Sequence, residues 1–204
     1  RIALALPGGA IGQRFGDKNT VLGAQLLMLA GSVTMALATS WNSQIAGRLV
    51  AGAGGVILTV QLTKMMTDWF AGKEIATAMA IFVNSWPAGI AVALLVLPVI
   101  GTGYGVAAVH LGVAAFIVGG IVLLATLYQP PADAAPAFTT RLRLEPHATT
   151  AVISAGLMWG LFNIGFAIIF SFGPTLLVER GWSIAAAGST ISIVLWIAVI
   201  SVPF

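Results

Sequence analysis

Apolar residues run along this chain in long stretches, without the strict alternation of a half-buried strand or the narrow apolar stripe of a water-facing helix. Six stretches are complete: Thr20 to Ser40, Asn42 to Lys64, Ile75 to Ile100, Gly105 to Tyr128, Thr150 to Val178 and Ser183 to Phe204. Each holds about 20 or more mostly apolar residues, enough to cross a hydrocarbon core of about 30 Å as a helix. Hydrocarbon offers the backbone no partners, so each stretch must satisfy its own N–H and C=O groups, as a helix does. The pattern predicts an all-α, polytopic helical membrane protein. The residues before Gly12 read as the end of one more helix, and the last stretch runs to Pro203-Phe204. The chain is therefore expected to be part of a larger bundle, truncated at both ends.

The connections alternate in character. Gln13–Asn19, Met65–Glu74 and Gln129–Thr149 carry charge, whereas those around Trp41, at Gly101–Tyr104 and at Glu179–Trp182 are short and nearly uncharged. Arg14, Lys18, Lys64, Lys73, Arg141 and Arg143 fall on one side, and Arg180 alone falls in a loop on the other. Excess Lys and Arg marks the cytoplasmic face. Loops 13–19, 65–74 and 129–149 are therefore expected in the cytoplasm, consistent with a bacterial inner membrane. Trp41, Trp69 and Trp182 fall at the expected interfaces, where an amphipathic ring anchors a helix. The Pro- and Ala-rich segment 129–149 reads as a semi-extended linker. It separates an N-terminal bundle, 1–128, from the start of a second, 150–204.

Composition sharpens the picture. Hydrophobic residues make up 59% of the chain and charged residues 7%, against about a quarter charged in a soluble domain. The net charge of +3 sits in short loops between apolar runs and is no nucleic-acid signature. No cysteine is present, which removes disulfides and thiolate metal sites. The chain carries no metalloprotease H-E-x-x-H, phosphate-binding Gly-rich loop or nucleophile elbow. The expected partners are a lipid bilayer and a small-molecule substrate, with a proton if transport is coupled, and no cofactor is implied.

The first charged connection reads Gly9-Ala10-Ile11-Gly12-Gln13-Arg14-Phe15-Gly16-Asp17-Lys18. It resembles the signature loop of the major facilitator superfamily, G-x-x-x-D-R-x-G-R-K. Gly9, Arg14, Gly16 and Lys18 match, Gln13 replaces the acidic position and Asp17 replaces a basic one. Arg48-Leu49-Val50-Ala51-Gly52-Ala53-Gly54 resembles the R-x-x-x-G-x-G motif of that superfamily's fourth helix, and the linker falls where its two halves join. The resemblance implies that the six stretches are helices 3 to 8, preceded by the end of helix 2, of a secondary transporter working by alternating access. It also implies a conformational latch at Gly9, Gln13, Arg14, Gly16, Asp17 and Lys18, set against a plain positive-inside turn. Thr67–Glu74, Asn84–Gly89 and Gly160–Asn163 further resemble the cyanate permease group of anion porters. Trp86-Pro87-Ala88-Gly89 keeps only the proline of the helix 5 pattern of drug–proton antiporters.

Charges inside a membrane are costly and usually functional. Arg48 is one, and with Gly52, Gly55, Thr59 and Thr63 it shares a helical face. It reads either as an anion-binding, cavity-lining guanidinium or as a structural arginine capping carbonyls or reaching the outer interface. Arg1 stands about 13 residues, roughly 20 Å of helix, before Arg14. That is near the midplane, where nitrate/nitrite porters of the superfamily carry an anion-binding arginine. Asn84 and Trp86 flank Pro87, and Trp159, Asn163, Phe166 and Phe170 share a face, either to hold a ligand or to pack helices. Gly52 and Gly54, like Gly156 and Gly160, are expected to admit close helix contacts. Small-anion transport is the expected function. Efflux of hydrophobic compounds and a non-transporting membrane receptor or scaffold are the alternatives.

Overall fold

In a computed structural model of the chain, the described residues are 12, 14–70, 72, 74–129 and 146–201, with the side chains of 146–148 excepted. Arg1, Gly9, Gln13 and most of the 129–149 segment lie outside them. Among the described residues six helices are present: α1 Asp17–Leu37, α2 Trp41–Phe70, α3 Ile75–Tyr104, α4 Val106–Leu127, α5 Pro146–Glu179 and α6 Ile184–Ser201. Together they supply five stretches long and apolar enough to span a membrane, α3 and α4 counting as one stretch from Ile75 to Leu127.

Several expected boundaries move, α1 starting at Asp17 and α5 at Pro146, inside the expected segments 13–19 and 129–149. Residues 65–70 are not loop but the last turns of α2. Lys64 pairs with Asp68 one turn on at 2.8 Å, and the Thr67 hydroxyl donates to the Thr63 carbonyl at 3.0 Å. Both bonds favour continuing the helix. At 30 residues, α2 is about 45 Å long and must project beyond a hydrocarbon core of about 30 Å. Residues 101–104 are likewise helical, so the α3–α4 connection is Gly105 alone, at φ 84°. The chain reverses there. In one continuous helix, residues 100 and 112 would stand about 18 Å apart, yet a Cβ on Gly112 would touch Ile100 Cδ1 at 3.8 Å. A left-handed backbone of this kind suits glycine, which has no Cβ to clash.

The chain forms two compact units, Arg1–Phe82 with Ile100–Pro136, and Val83–Val99 with Ala137–Phe204. In the first, α1 packs between α2 and α4. Its α2 contact is built from small residues. A Cβ on Gly31 would lie 2.5 Å from the Gly47 carbonyl oxygen, and one on Gly54 2.5 Å from the Ala24 oxygen. Val21 and Ala24 are almost fully buried there. Ser40 and Ser43 start α2 with a reciprocal cap, each hydroxyl accepting the other's backbone N–H at 3.2 Å. On the α4 side, the Ser32 hydroxyl donates to the His110 carbonyl at 2.8 Å.

In the second unit, α6 runs antiparallel to the middle of α3, pairing Asn84 with Val199 and Leu94 with Gly188. Gly173 of α5 abuts Ile191 of α6. Ala91, Ala187 and Leu195 form its buried centre. Gly52, Gly156 and Gly160 meet nothing within 4 Å of a built Cβ. Of the four glycines expected to approach a neighbour closely, Gly54 does so, and the other backbone approaches fall at Gly31, Gly47 and Gly188. Motif spacing cannot tell which side of a helix a neighbour occupies.

Candidate functional site

The polar stripe of α2 faces away from α1. Arg48, Gly52 and Thr59 are exposed, and Gly55 and Thr63 are half-exposed. The α1 contact instead uses Gly47 and Gly54 on the other side. The Thr59 and Thr63 hydroxyls donate at 2.8 Å to the carbonyls of Gly55 and Thr59. This spends each hydroxyl proton on the helix itself and leaves oxygen lone pairs outward. Arg48 is seven residues from the start of α2, about 10 Å along it. Among the described residues the acidic side chains are Asp17, Asp68, Glu74 and Glu179, all at helix ends. The guanidinium is thus a cation on an open, small-residue surface with no carboxylate in the spans beside it.

The described part of the signature loop ties three helix ends together. Gly16 has φ 81° and precedes α1, and its carbonyl accepts the backbone N–H of Thr20 at 3.0 Å and its hydroxyl at 2.8 Å. Asp17 opens α1, where the helix dipole favours a carboxylate, and pairs with Lys64 of α2 at 2.5 Å. Lys18 donates to the carbonyls of Ala125 and Tyr128 at 2.9 and 3.0 Å. It thereby caps the negative end of α4. Burial pushes the Tyr128 phenol above its ordinary range, while the Trp69 indole N–H hydrogen-bonded to it pulls the other way. Arg14 is exposed and lies over the Phe15 ring at 5.6 Å. The contacts of Asp17 and Lys18 all fall within the first unit, on Lys64 and on the end of α4.

The second unit carries the aromatic candidates. Trp159, Phe162, Phe166 and Phe170 form a ladder along α5, with successive centroids 5.6 to 5.9 Å apart. Trp86 of α3 meets it, tilted on Phe166 at 5.8 Å and edge-on to Phe170 at 6.0 Å. Asn84 Nδ2 donates to the Val199 carbonyl at 2.7 Å. Asn163 does not bond across helices: its Nδ2 donates to the Trp159 carbonyl one turn back in α5, at 2.7 Å. Phe162, Asp68 and Tyr128 join these contacts from outside the sequence-predicted candidates. The first two had a local signal, in the 159-162-166-170 spacing and the Lys64–Asp68 interval of four. Tyr128 had none, because only the fold brings it to Trp69.

Long apolar helices packed through glycines, with charge confined to their ends apart from one arginine, define a polytopic helical membrane protein. The profile of the Major Facilitator Superfamily matches residues 1–204. The chain belongs to that superfamily, and the family makes it a membrane transporter. No significant match to the chain occurs among curated proteins or among solved structures.

Proposed function

We propose that the protein carries a small organic or inorganic anion across a bacterial inner membrane by alternating access, with Arg48 binding the anion. Arg48 on the open face of α2 carries this reading. Only small or hydroxyl residues follow it along that face, and its planar two-donor fork suits a carboxylate or oxyanion. The likeness of Thr67–Glu74, Asn84–Gly89 and Gly160–Asn163 to the cyanate permease group points the same way. In this reading the helices occupy positions 3 to 8 of the superfamily, and residues 1–128 and 150–204 belong to its two halves. Segments 13–19, 65–74 and 129–149 lie in the cytoplasm. The signature loop acts as a latch, and Arg1, Asn84, Trp86, Trp159 and Asn163 complete the substrate surface. A proton is the coupling partner, and no cofactor takes part.

The test is counterflow in proteoliposomes of the full-length protein, using labelled nitrate, acetate and benzoate. Arg48→Ala is expected to reduce anion exchange at least about a hundredfold and Arg48→Lys about tenfold, since lysine keeps the charge and loses the fork. Normal exchange by both variants would remove Arg48 from the site. A second reading, efflux of hydrophobic compounds, rests on the aromatic ladder of α5. Exchange of hydrophobic cations without anion exchange would favour it.

A further inference from the structure

His110 is the single titratable side chain of α4, and it is half-buried. It lies one turn into that helix, which starts at Val106, about 6 Å along it. Its backbone carbonyl accepts the Ser32 hydroxyl of α1 at 2.8 Å. The preceding residue of α1, Gly31, meets Gly47 and Ala51 of α2. Consecutive residues of α1 thus set Arg48 and His110 at one level of the first unit, and the charge of Arg48 acts on the imidazole. The other charged or titratable groups of the helices packed here stand elsewhere. Asp17 and Lys18 of α1, Lys64 and Asp68 of α2, and Tyr128 after α4 all lie toward the opposite ends. Tyr104, at the adjoining end of α3, is 82% exposed. Among the described residues, no carboxylate offsets Arg48 and His110 at this level.

We infer that His110 binds the coupled proton, and that its protonation and anion binding at Arg48 favour each other. The inference rests on the anion-transport reading and assigns its proton to a residue. Like charges repel, so with Arg48 empty the guanidinium opposes a second cation at its level. An anion held by Arg48 offsets that charge, and the imidazole then takes a proton from water more readily. Linkage is reciprocal, so the protonated ring strengthens the hold on the anion. Imidazole suits the task because its charge changes near neutral pH. Anion and proton load together and leave together, which is symport.

The test is counterflow of labelled nitrate, acetate and benzoate by the full-length protein, with the same pH on both sides of the membrane. It is run at about pH 6 and about pH 8, where all three anions stay ionised. Half-saturation is expected at about threefold lower concentration at the lower pH. His110→Gln, always neutral, is expected to hold the weaker value at both, and His110→Lys, always charged, the tighter value at both. Ser32 bonds to the backbone of residue 110, so both variants keep that contact, and a merely structural histidine would not separate them. Anion exchange whose half-saturation is the same at both pH values in the unmodified protein overturns the inference and leaves anion transport standing. A pH dependence that persists in both variants also overturns it, because another group then carries the proton. Exchange of none of the three anions overturns both readings. If the variants fail to reconstitute, the unmodified protein is expected to take up protons when nitrate is added in weakly buffered detergent solution, and no uptake overturns the inference.

Discussion

The cluster of α1, α2 and α4 and the cluster of α3, α5 and α6 face one problem with different means. Lipid is as apolar as leucine, so apolar helices gain little merely by burying side chains against one another. In the first cluster, backbones come close at Gly31, Gly47 and Gly54, and charged groups tie the ends through Asp17, Lys18 and Lys64. In the second, helices meet through aromatic rings at Trp86, through the Asn84 amide on the Val199 carbonyl, and at Gly188 against the Leu94 carbonyl. Among the described residues every ion pair lies in the first. Close backbone packing with pinned ends makes a rigid body.

The comparison can be broken most sharply at its glycines. Gly31→Leu is expected to destabilise the protein by about 3 kcal/mol or more, because the side chain would meet the Gly47 and Ala51 backbone rather than a movable group. Thermal unfolding in detergent would show it as loss of folded, monodisperse protein. Unchanged unfolding would mean that α1 and α2 do not approach as described. Gly188→Leu is expected to act similarly against the Leu94 carbonyl. The same assay on Gly156→Leu should give a change within about 0.5 kcal/mol, since no neighbour stands within 4 Å of it.

A smaller effect is expected at the pinned end. Lys64 is 39% exposed in its side chain, so water and salt screen its two carboxylate partners, and Lys64→Ala should cost about 1 kcal/mol. Exchanging the pair as Asp17→Lys with Lys64→Asp should recover only part of that. The swap would put a lysine at the amino end of α1, against the helix dipole, and an aspartate beside Asp68. Full recovery of the unfolding temperature would show that the dipole contributes nothing. At the α2 cap, Ser40→Ala should cost about 1 kcal/mol or less by removing one of its two arms. Hydrogen exchange at the first turn of α2 would register it even where unfolding does not.

Much of this architecture was legible in the residue pattern. Stretches of about 20 apolar residues cannot cross hydrocarbon except as helices, and each predicted stretch coincides with one. Boundaries slipped where helix continued into charged or glycine-containing sequence, at 65–70 and 101–104, because pairings such as Lys64–Asp68 lengthen a helix beyond the membrane. Of the candidate residues, Arg48 was legible as a lone intramembrane charge, and the α5 ladder was nearly so from its spacing. The partners of Lys18 were not. A lysine in a turn has no sequence feature that points to the carbonyls of Ala125 and Tyr128, more than a hundred residues away.

Sequence alone determined that the chain spans a membrane as helices and belongs to the major facilitator superfamily, because hydrophobic length and backbone satisfaction are properties of each segment by itself. The tertiary structure decided which glycines are contact points, which carbonyls are left for a neighbour, and which way the Asn84 amide faces. Those facts depend on the side of a helix that its neighbour occupies. A period of 3.6 residues describes a helix's own faces and carries no information about which one is covered.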